Sequence, residues 1–142
     1  MSRRRPEYQP DSFHARQAGR LPDLLGIVVD SIADGSIDLS LQVEKRHLAP
    51  NGYLHAASVV ALADTAAGYG CLAHLPDGAS GFTTIELKSN FLGTTLDGRI
   101  TAHAVLVHGG RTTQIWDATV QGPTGRTIAL FRCTQMILWP KA

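Results

Sequence analysis

The eighteen residues from Ala56 to Ala73, AASVVALADTAAGYGCLA, constrain the fold of this chain more than any other stretch. They read as one helix of small and apolar residues with no broad polar face. Such a helix has to be buried on most sides, and its alanines and glycines let strands or a second helix approach closely. A sheet wrapped round one central helix meets that requirement. A single acidic residue, Asp64, lies within it, and carboxylates are seldom buried without a partner or a task. Just upstream, the turn residues Pro50-Asn51-Gly52 deliver His55 to the start of the helix.

The flanking sequence supplies the strands. Leu24 to Ser31 and Ser36 to Val43 are runs rich in Val, Ile and Leu on either side of Ala33-Asp34-Gly35, a hairpin signal. After the helix come Phe82 to Leu92, Arg99 to Val107, Thr112 to Gln121 and Arg126 to Trp139, separated by turn-forming segments rich in glycine. The last three are expected to form an antiparallel meander. At the other end, Arg3, Arg4 and Arg5 with Pro6 and Pro10 mark the first ten residues as a mobile tail, and Asp11 is placed to cap a short helix that Gly19 stops near Ala18. The expected organisation is a tail and short helix over residues 1–19 and a single α+β domain over 20–142.

Composition excludes several function classes. Thirteen Lys plus Arg against twelve Asp plus Glu leave a charge of +1, which offers no field for nucleic acid or an anionic membrane. The N-terminus lacks the apolar stretch of a signal peptide, and no run approaches the roughly 20 apolar residues of a membrane span. Cys71 and Cys133 show no C-x-x-C spacing and read as buried thiols, so a reducing cytoplasm is expected. The histidines His14, His47, His55, His74, His103 and His108 form no metal-binding pair, and the Gly-x-Ser-x-Gly elbow of serine hydrolases is absent. Neither a metal nor a separate cofactor is expected.

Hairpin, central helix and four further strands together resemble the hot-dog fold. The segment Asn51-Gly52-Tyr53-Leu54-His55-Ala56-Ala57, followed by Ala61-Leu62-Ala63-Asp64-Thr65-Ala66, is similar to the signature of acyl-CoA thioesterases of the phenylacetate-pathway type. Phe82 to Leu92 resembles that family's third strand, and the likeness runs over roughly residues 20 to 138. Two departures stand out: the family's His-Gly-Gly is here His55-Ala56-Ala57, and its asparagine before the glycine is here Ala49, with Asn51 two positions later. The resemblance implies thioester hydrolysis of an acyl-CoA, with coenzyme A arriving as part of the substrate.

The residues themselves point the same way. Hydrolysis of a thioester needs a group that attacks the carbonyl or activates water, and donors aimed at the developing oxyanion. Asp64 is the candidate carboxylate, as nucleophile or as general base, and the backbone N–H groups of Ala56 and Ala57 at a helix start are candidate oxyanion donors. His55 either orients the acyl group or water, or only sets the geometry of the helix start. The resemblance implies that Thr84 helps to position water and that Asn51 and Gly52 border the substrate. It also places Arg111 and Thr112 beside coenzyme A, and Lys88 is a second candidate for its phosphates.

Ala56 and Asp64 are eight residues apart, about 12 Å along one helix, so they cannot both touch one carbonyl. Two helices packed antiparallel would bring Ala56 of one subunit against Asp64 of the other, as the family does, with the strand from Phe82 to Leu92 pairing across the two-fold axis. A dimer is then the minimum active unit, and a tetramer is compatible with it. The competing readings are a hot-dog dehydratase or hydratase acting on acyl thioesters and a noncatalytic acyl-CoA-binding protein.

Overall fold

The structure is a computed structural model that describes residues 4–142; Arg3 of the basic N-terminal run lies outside the described residues. Two short helices, α1 (Pro10–Gln17) and α2 (Leu21–Leu24), precede the hairpin β1 (Val28–Ala33) and β2 (Ser36–Gln42). A single 3-10 turn (Lys45–His47) leads to α3 (Ala56–Ala73), and then come β3 (Gly81–Phe91), β4 (Arg99–Gly109), β5 (Thr113–Gln121) and β6 (Thr127–Leu138). The strands form one antiparallel sheet in the order β1-β2-β4-β5-β6-β3, with α3 packed on one face. This is the hot-dog arrangement expected from the sequence, and β4, β5 and β6 are the expected meander.

Three local expectations need correction. Asp11 does not cap α1: Gln9 is the N-cap residue, its N–H donates to Ser12 Oγ at 2.9 Å, and Asp11 occupies the first turn, where its charge suits the helix dipole. The first strand begins at Val28 rather than Leu24, because Pro22 sits in the first turn of α2, where a missing N–H costs nothing, and Gly26 at φ 74° turns the chain out of it. The Asp34-Gly35 hairpin forms as read, with Ala33 paired to Ser36 and Gly35 at φ 78°. Residues 4–10, where a mobile tail is expected, hydrogen-bond to the body of the domain. The Arg5 N–H donates to the Ala73 carbonyl at 2.7 Å, and its guanidinium donates to the Leu75 and Pro76 carbonyls at 3.2 and 2.8 Å. Arg5 thereby supplies the positive charge that the last turn of α3 lacks in its own sequence.

The central helix is buried on one side rather than on most. Val59, Leu62, Ala63, Ala66, Ala67, Gly70 and Cys71 face the sheet and are buried. Val60, Ala61, Asp64, Thr65, Gly68, Tyr69 and Leu72 recur at the complementary helical spacing and are only half-buried. Gly70 is required for the close approach: a Cβ there would stand 2.7 Å from the indole ring of Trp116. By length and hydropathy α3 is the one described helix that could cross a membrane, yet half of it is buried inside the fold.

Strand β3 is the exposed edge of the sheet. Its eleven residues carry Ile85, Leu87 and Phe91, which are 55%, 43% and 46% exposed, and its free edge adjoins the open face of α3. Long apolar edges of this kind are normally covered by another strand.

Candidate active site

A cavity of about 600 Å³ lies between the open face of α3 and the inner face of β3. Asp64, Thr65, Gly68 and Tyr69 line it from the helix, and Phe82 and Thr84 line it from the strand. Its far wall comes from the N-terminal segment, with Arg16, Gln17, Arg20 and Pro22. Phe13 stacks on Tyr69 with ring centroids 4.6 Å apart, and the Tyr69 hydroxyl donates to Gln17 Oε1 at 2.8 Å. Gln17 Nε2 donates in turn to the carbonyl of Ile27, the residue just before β1, at 2.7 Å, which fixes this wall to the start of the hairpin.

Asp64 stands at one end of the cavity. Its Oδ1 is buried without a hydrogen-bond partner, and burial pushes its carboxyl above the ordinary carboxylate range. The side chain is thus neither an ion-pair member nor a helix cap. A carboxyl held at a cavity wall with its oxygens uncommitted is poised to attack a carbonyl or to take a proton from water.

The start of α3 is built by the preceding loop. Asn51 Oδ1 accepts from the Tyr53 N–H at 3.1 Å, Gly52 sits at φ 90°, and the Ala49 N–H donates to the Tyr53 carbonyl at 2.7 Å. Asn51 and Gly52 are therefore turn-formers here. His47 clamps the loop from below: its Nδ1 accepts from the Glu44 N–H, its Nε2 donates to the Leu25 carbonyl, and its own carbonyl receives the Ser58 hydroxyl.

His55 is the N-cap of α3, and its Nδ1 accepts from the Ala57 N–H at 2.9 Å. The expected pair of oxyanion donors is thereby reduced to one within a chain: the Ala57 N–H is engaged by His55, whereas the Ala56 N–H has no partner among the described residues. An Nδ1 that accepts leaves the ring proton of neutral His55 on Nε2, facing solvent.

The remaining candidates are scattered. Thr84 lines the Asp64 cavity. Lys88 pairs with Arg132 in the β3–β6 ladder, while its neighbours Leu87 and Ser89 pair with the buried Cys133 and Phe131, so Lys88 projects from the opposite face of the sheet. There it borders a shallow groove with Asp117 and Arg132. Arg111 stacks on Trp139 at 4.5 Å and Thr112 accepts from the Ile137 N–H through its carbonyl; both sit at the end of the sheet, outside the cavity. No cluster of His, Cys, Asp or Glu among the described residues could hold a metal.

Two features of the site escape the sequence reading. Arg16 and Arg20 reach the cavity only because α1 folds back over Tyr69. Gln135 lies fully buried on β6 behind Thr84, and neither atom of its amide has a partner.

The sequence pattern described as Thioesterase superfamily matches residues 51–129. A 1,4-dihydroxy-2-naphthoyl-CoA hydrolase of Listeria monocytogenes is 31% identical over 114 residues, covering 80% of this chain and 92% of the relative. The acyl-coenzyme A thioesterase PaaI of Escherichia coli is 33% identical over 109 residues, covering 76% and 75%. Among solved structures, a mutant of the thioesterase PA1618 from Pseudomonas aeruginosa superposes with a TM-score of 0.91 at 30% identity, covering 96% of this chain and 99% of the other.

Proposed function

The chain belongs to the thioesterase superfamily and is a thioester hydrolase, and we propose that it cleaves acyl-CoA with Asp64 as the reacting carboxylate and Ala56 as the oxyanion donor. The observation that carries this reading is the uncommitted Asp64 carboxyl at the wall of a cavity of about 600 Å³, large enough for an acyl group. Asp64 either attacks the thioester carbonyl or takes a proton from the attacking water. In both cases the carbon–sulfur bond breaks, the thiol leaves with a proton, and water ends as the second oxygen of the product acid. The Ala56 N–H, first in the helix and at the positive end of its dipole, receives the oxyanion.

In this reading the two groups, about 12 Å apart along α3, come from different subunits. Pairing of β3 with its mate would cover the exposed edge and the open face of α3 together, and would set the partner's Ala56 against Asp64. A homodimer, or a tetramer built from it, is thus the proposed active form. Thr84 would steady the attacking water, and His55 Nε2–H and Asn51 would border the thioester. The coenzyme A phosphates would fall to Arg111 or Lys88 or to the Arg16 and Arg20 guanidiniums at the cavity wall. Two free, buried thiols suit a cytoplasmic location.

A subunit-mixing experiment tests both the chemistry and the sharing of sites. With free thiol assayed on a panel of aryl and medium-chain acyl-CoAs, Asp64→Asn should lose at least about a hundredfold in turnover. Ala56→Pro, which removes one N–H at a helix position where proline is tolerated, should lose about two to three powers of ten. Coexpressed, the two inactive chains should regain roughly a quarter of wild-type activity, because half the dimers are mixed and each mixed dimer has one intact site. Near-normal turnover by Asp64→Asn would overturn the chemistry, and no recovery in mixed dimers confirmed by mass would overturn the shared site.

A further inference from the structure

Of the four buried side-chain polar atoms without a partner among the described residues, three belong to Asp64 and Gln135: Asp64 Oδ1, Gln135 Nε2 and Gln135 Oε1. Gln135 is 0% exposed. An amide shut away from water and left unbonded is costly, and native proteins rarely keep one without a use.

The sheet register places this amide under the site. Thr84 on β3 and Gln135 on β6 are directly paired and project from the same face, and Thr84 lines the cavity beside Asp64. Cys133, the next inward residue along β6, is buried on the same face, and its thiol is pushed up to about 12 by burial first and by the Asp64 carboxylate second. Asp64 and Thr84 thus line one cavity, and Gln135 stands directly behind Thr84 in the ladder. An acceptor without a donor, Asp64 Oδ1, and a donor without an acceptor, Gln135 Nε2, are both buried at this wall.

We propose that Gln135 is a positioning residue for Asp64: in the working enzyme its Nε2–H donates to Asp64 Oδ1, while its Oε1 accepts from the Thr84 hydroxyl. The terminal torsion of a glutamine turns readily, so the amide can present either group without moving the strand. The resulting chain, from Thr84 through Gln135 to Asp64, links β3, β6 and α3 and engages all three orphaned atoms. It leaves the outward oxygen of Asp64 for chemistry and favours the ionised carboxylate, which burial alone disfavours. This inference rests on the reading of Asp64 as the reacting carboxylate.

The charge state of Asp64 has few other influences from the elements packed round it. Inward on β6 is the Cys133 thiol, which burial pushes up, and inward on β5 is its partner Trp116, with Asp117 on the opposite face. The same cavity holds Tyr69 from α3, Arg16 and Arg20 from the N-terminal segment, and only Thr84 and Phe82 from β3.

The test is the pH dependence of kcat, measured with whichever of phenylacetyl-CoA, benzoyl-CoA and octanoyl-CoA releases thiol fastest. Gln135→Leu, close in volume and unable to donate, should move the acid limb up by about one pH unit and so lower kcat on that limb by about tenfold, with KM changed less than about threefold. Gln135→Glu, which places a second carboxyl beside Asp64, should move the limb in the same direction. Should Gln135→Leu fail to fold, the limb is read in Thr84→Val, at an exposed strand position that suits valine, where a smaller upward shift is expected. An acid limb that stays at its wild-type position in these variants overturns the inference, as does a change confined to KM. Asp64→Asn separates the two levels. If it is inactive while the Gln135 variants keep the wild-type limb, only the role of Gln135 falls; if it remains active, the reading of Asp64 falls and this inference with it.

Discussion

Gln114 and Gln135 are direct partners across the β5–β6 ladder, and both are fully buried on the face that meets α3. Gln114 is engaged at both ends of its amide: Nε2 donates to the His74 carbonyl at 2.8 Å, and Oε1 accepts from Trp116 Nε1 at 2.8 Å. Its neighbour, one strand over, has neither atom engaged. The same side chain, at the same depth, closes a structural network on one side and stands open behind Thr84 at the candidate site on the other. Buried polarity that serves the fold is satisfied within the chain, and buried polarity that serves a reaction keeps capacity in reserve.

Substituting both glutamines by leucine gives the sharpest contrast. Gln114→Leu leaves the His74 carbonyl and the Trp116 N–H buried without partners and should cost about 2–5 kcal/mol of stability in urea unfolding. Gln135→Leu removes an amide that has no partner in the chain and should stay within about 1 kcal/mol of wild type. Equal losses from the two variants would break the comparison, because Gln135 would then be structural as well.

The sequence could not have separated these two residues. Each is a polar residue at an inward position of an alternating strand, and only the register shows that one lies beside the helix C-terminus and the other behind Thr84. The central helix was legible to the residue, because Pro50-Asn51-Gly52 turns the chain just before it and small apolar residues run without a break to Ala73. The meander of β4, β5 and β6 was legible from glycine-rich turns. That β3 is an edge strand followed from the family's dimer rather than from periodicity, and its place beside β6 was not legible, since alternation sets a strand's face and not its neighbour. Asp64 announced itself as the one acid in an apolar helix. Arg16, Arg20 and Gln135 belong to the site through tertiary packing alone.

Glycines sharpen the contrast at a smaller scale. Gly70 lies under Trp116, whose ring is fixed by its bond to Gln114 and its edge contact with His74 at 5.3 Å between centroids. Gly70→Ala drives a Cβ to 2.7 Å from a ring that cannot yield, and should cost about 1–2 kcal/mol after the gain in helix propensity. Gly68, on the open face, would bring its Cβ to 3.3 Å from the tip of Phe82 at the cavity wall, where a small ring shift suffices. Gly68→Ala should be neutral within about 1 kcal/mol by the same unfolding measurement, and a loss as large as that of Gly70→Ala would show that the cavity is packed as tightly as the core.

The smallest expected effect concerns His74, the titratable member of the satisfied network. Its Nδ1–H donates to the Gly70 carbonyl at 2.7 Å and its Nε2 accepts from the Gly35 N–H at 2.8 Å, so the neutral ring is fully engaged and a second proton would break the bond to Gly35. Burial lowers its pKa below the ordinary histidine value, against a smaller upward pull from the Gly70 carbonyl. A base whose folded pKa is lowered binds fewer protons folded than unfolded, so its contribution to stability is complete above an unfolded value of about 6.5 and declines as pH falls below it. Melting temperatures taken between pH 7.5 and pH 5 should therefore fall with acid in the wild type. His74→Gln keeps one donor and one acceptor but cannot titrate, and should melt lower at pH 7.5 with a flatter decline. Parallel curves for the two proteins would mean that the acid sensitivity arises elsewhere, and that the network round Gln114 tolerates a charged imidazole.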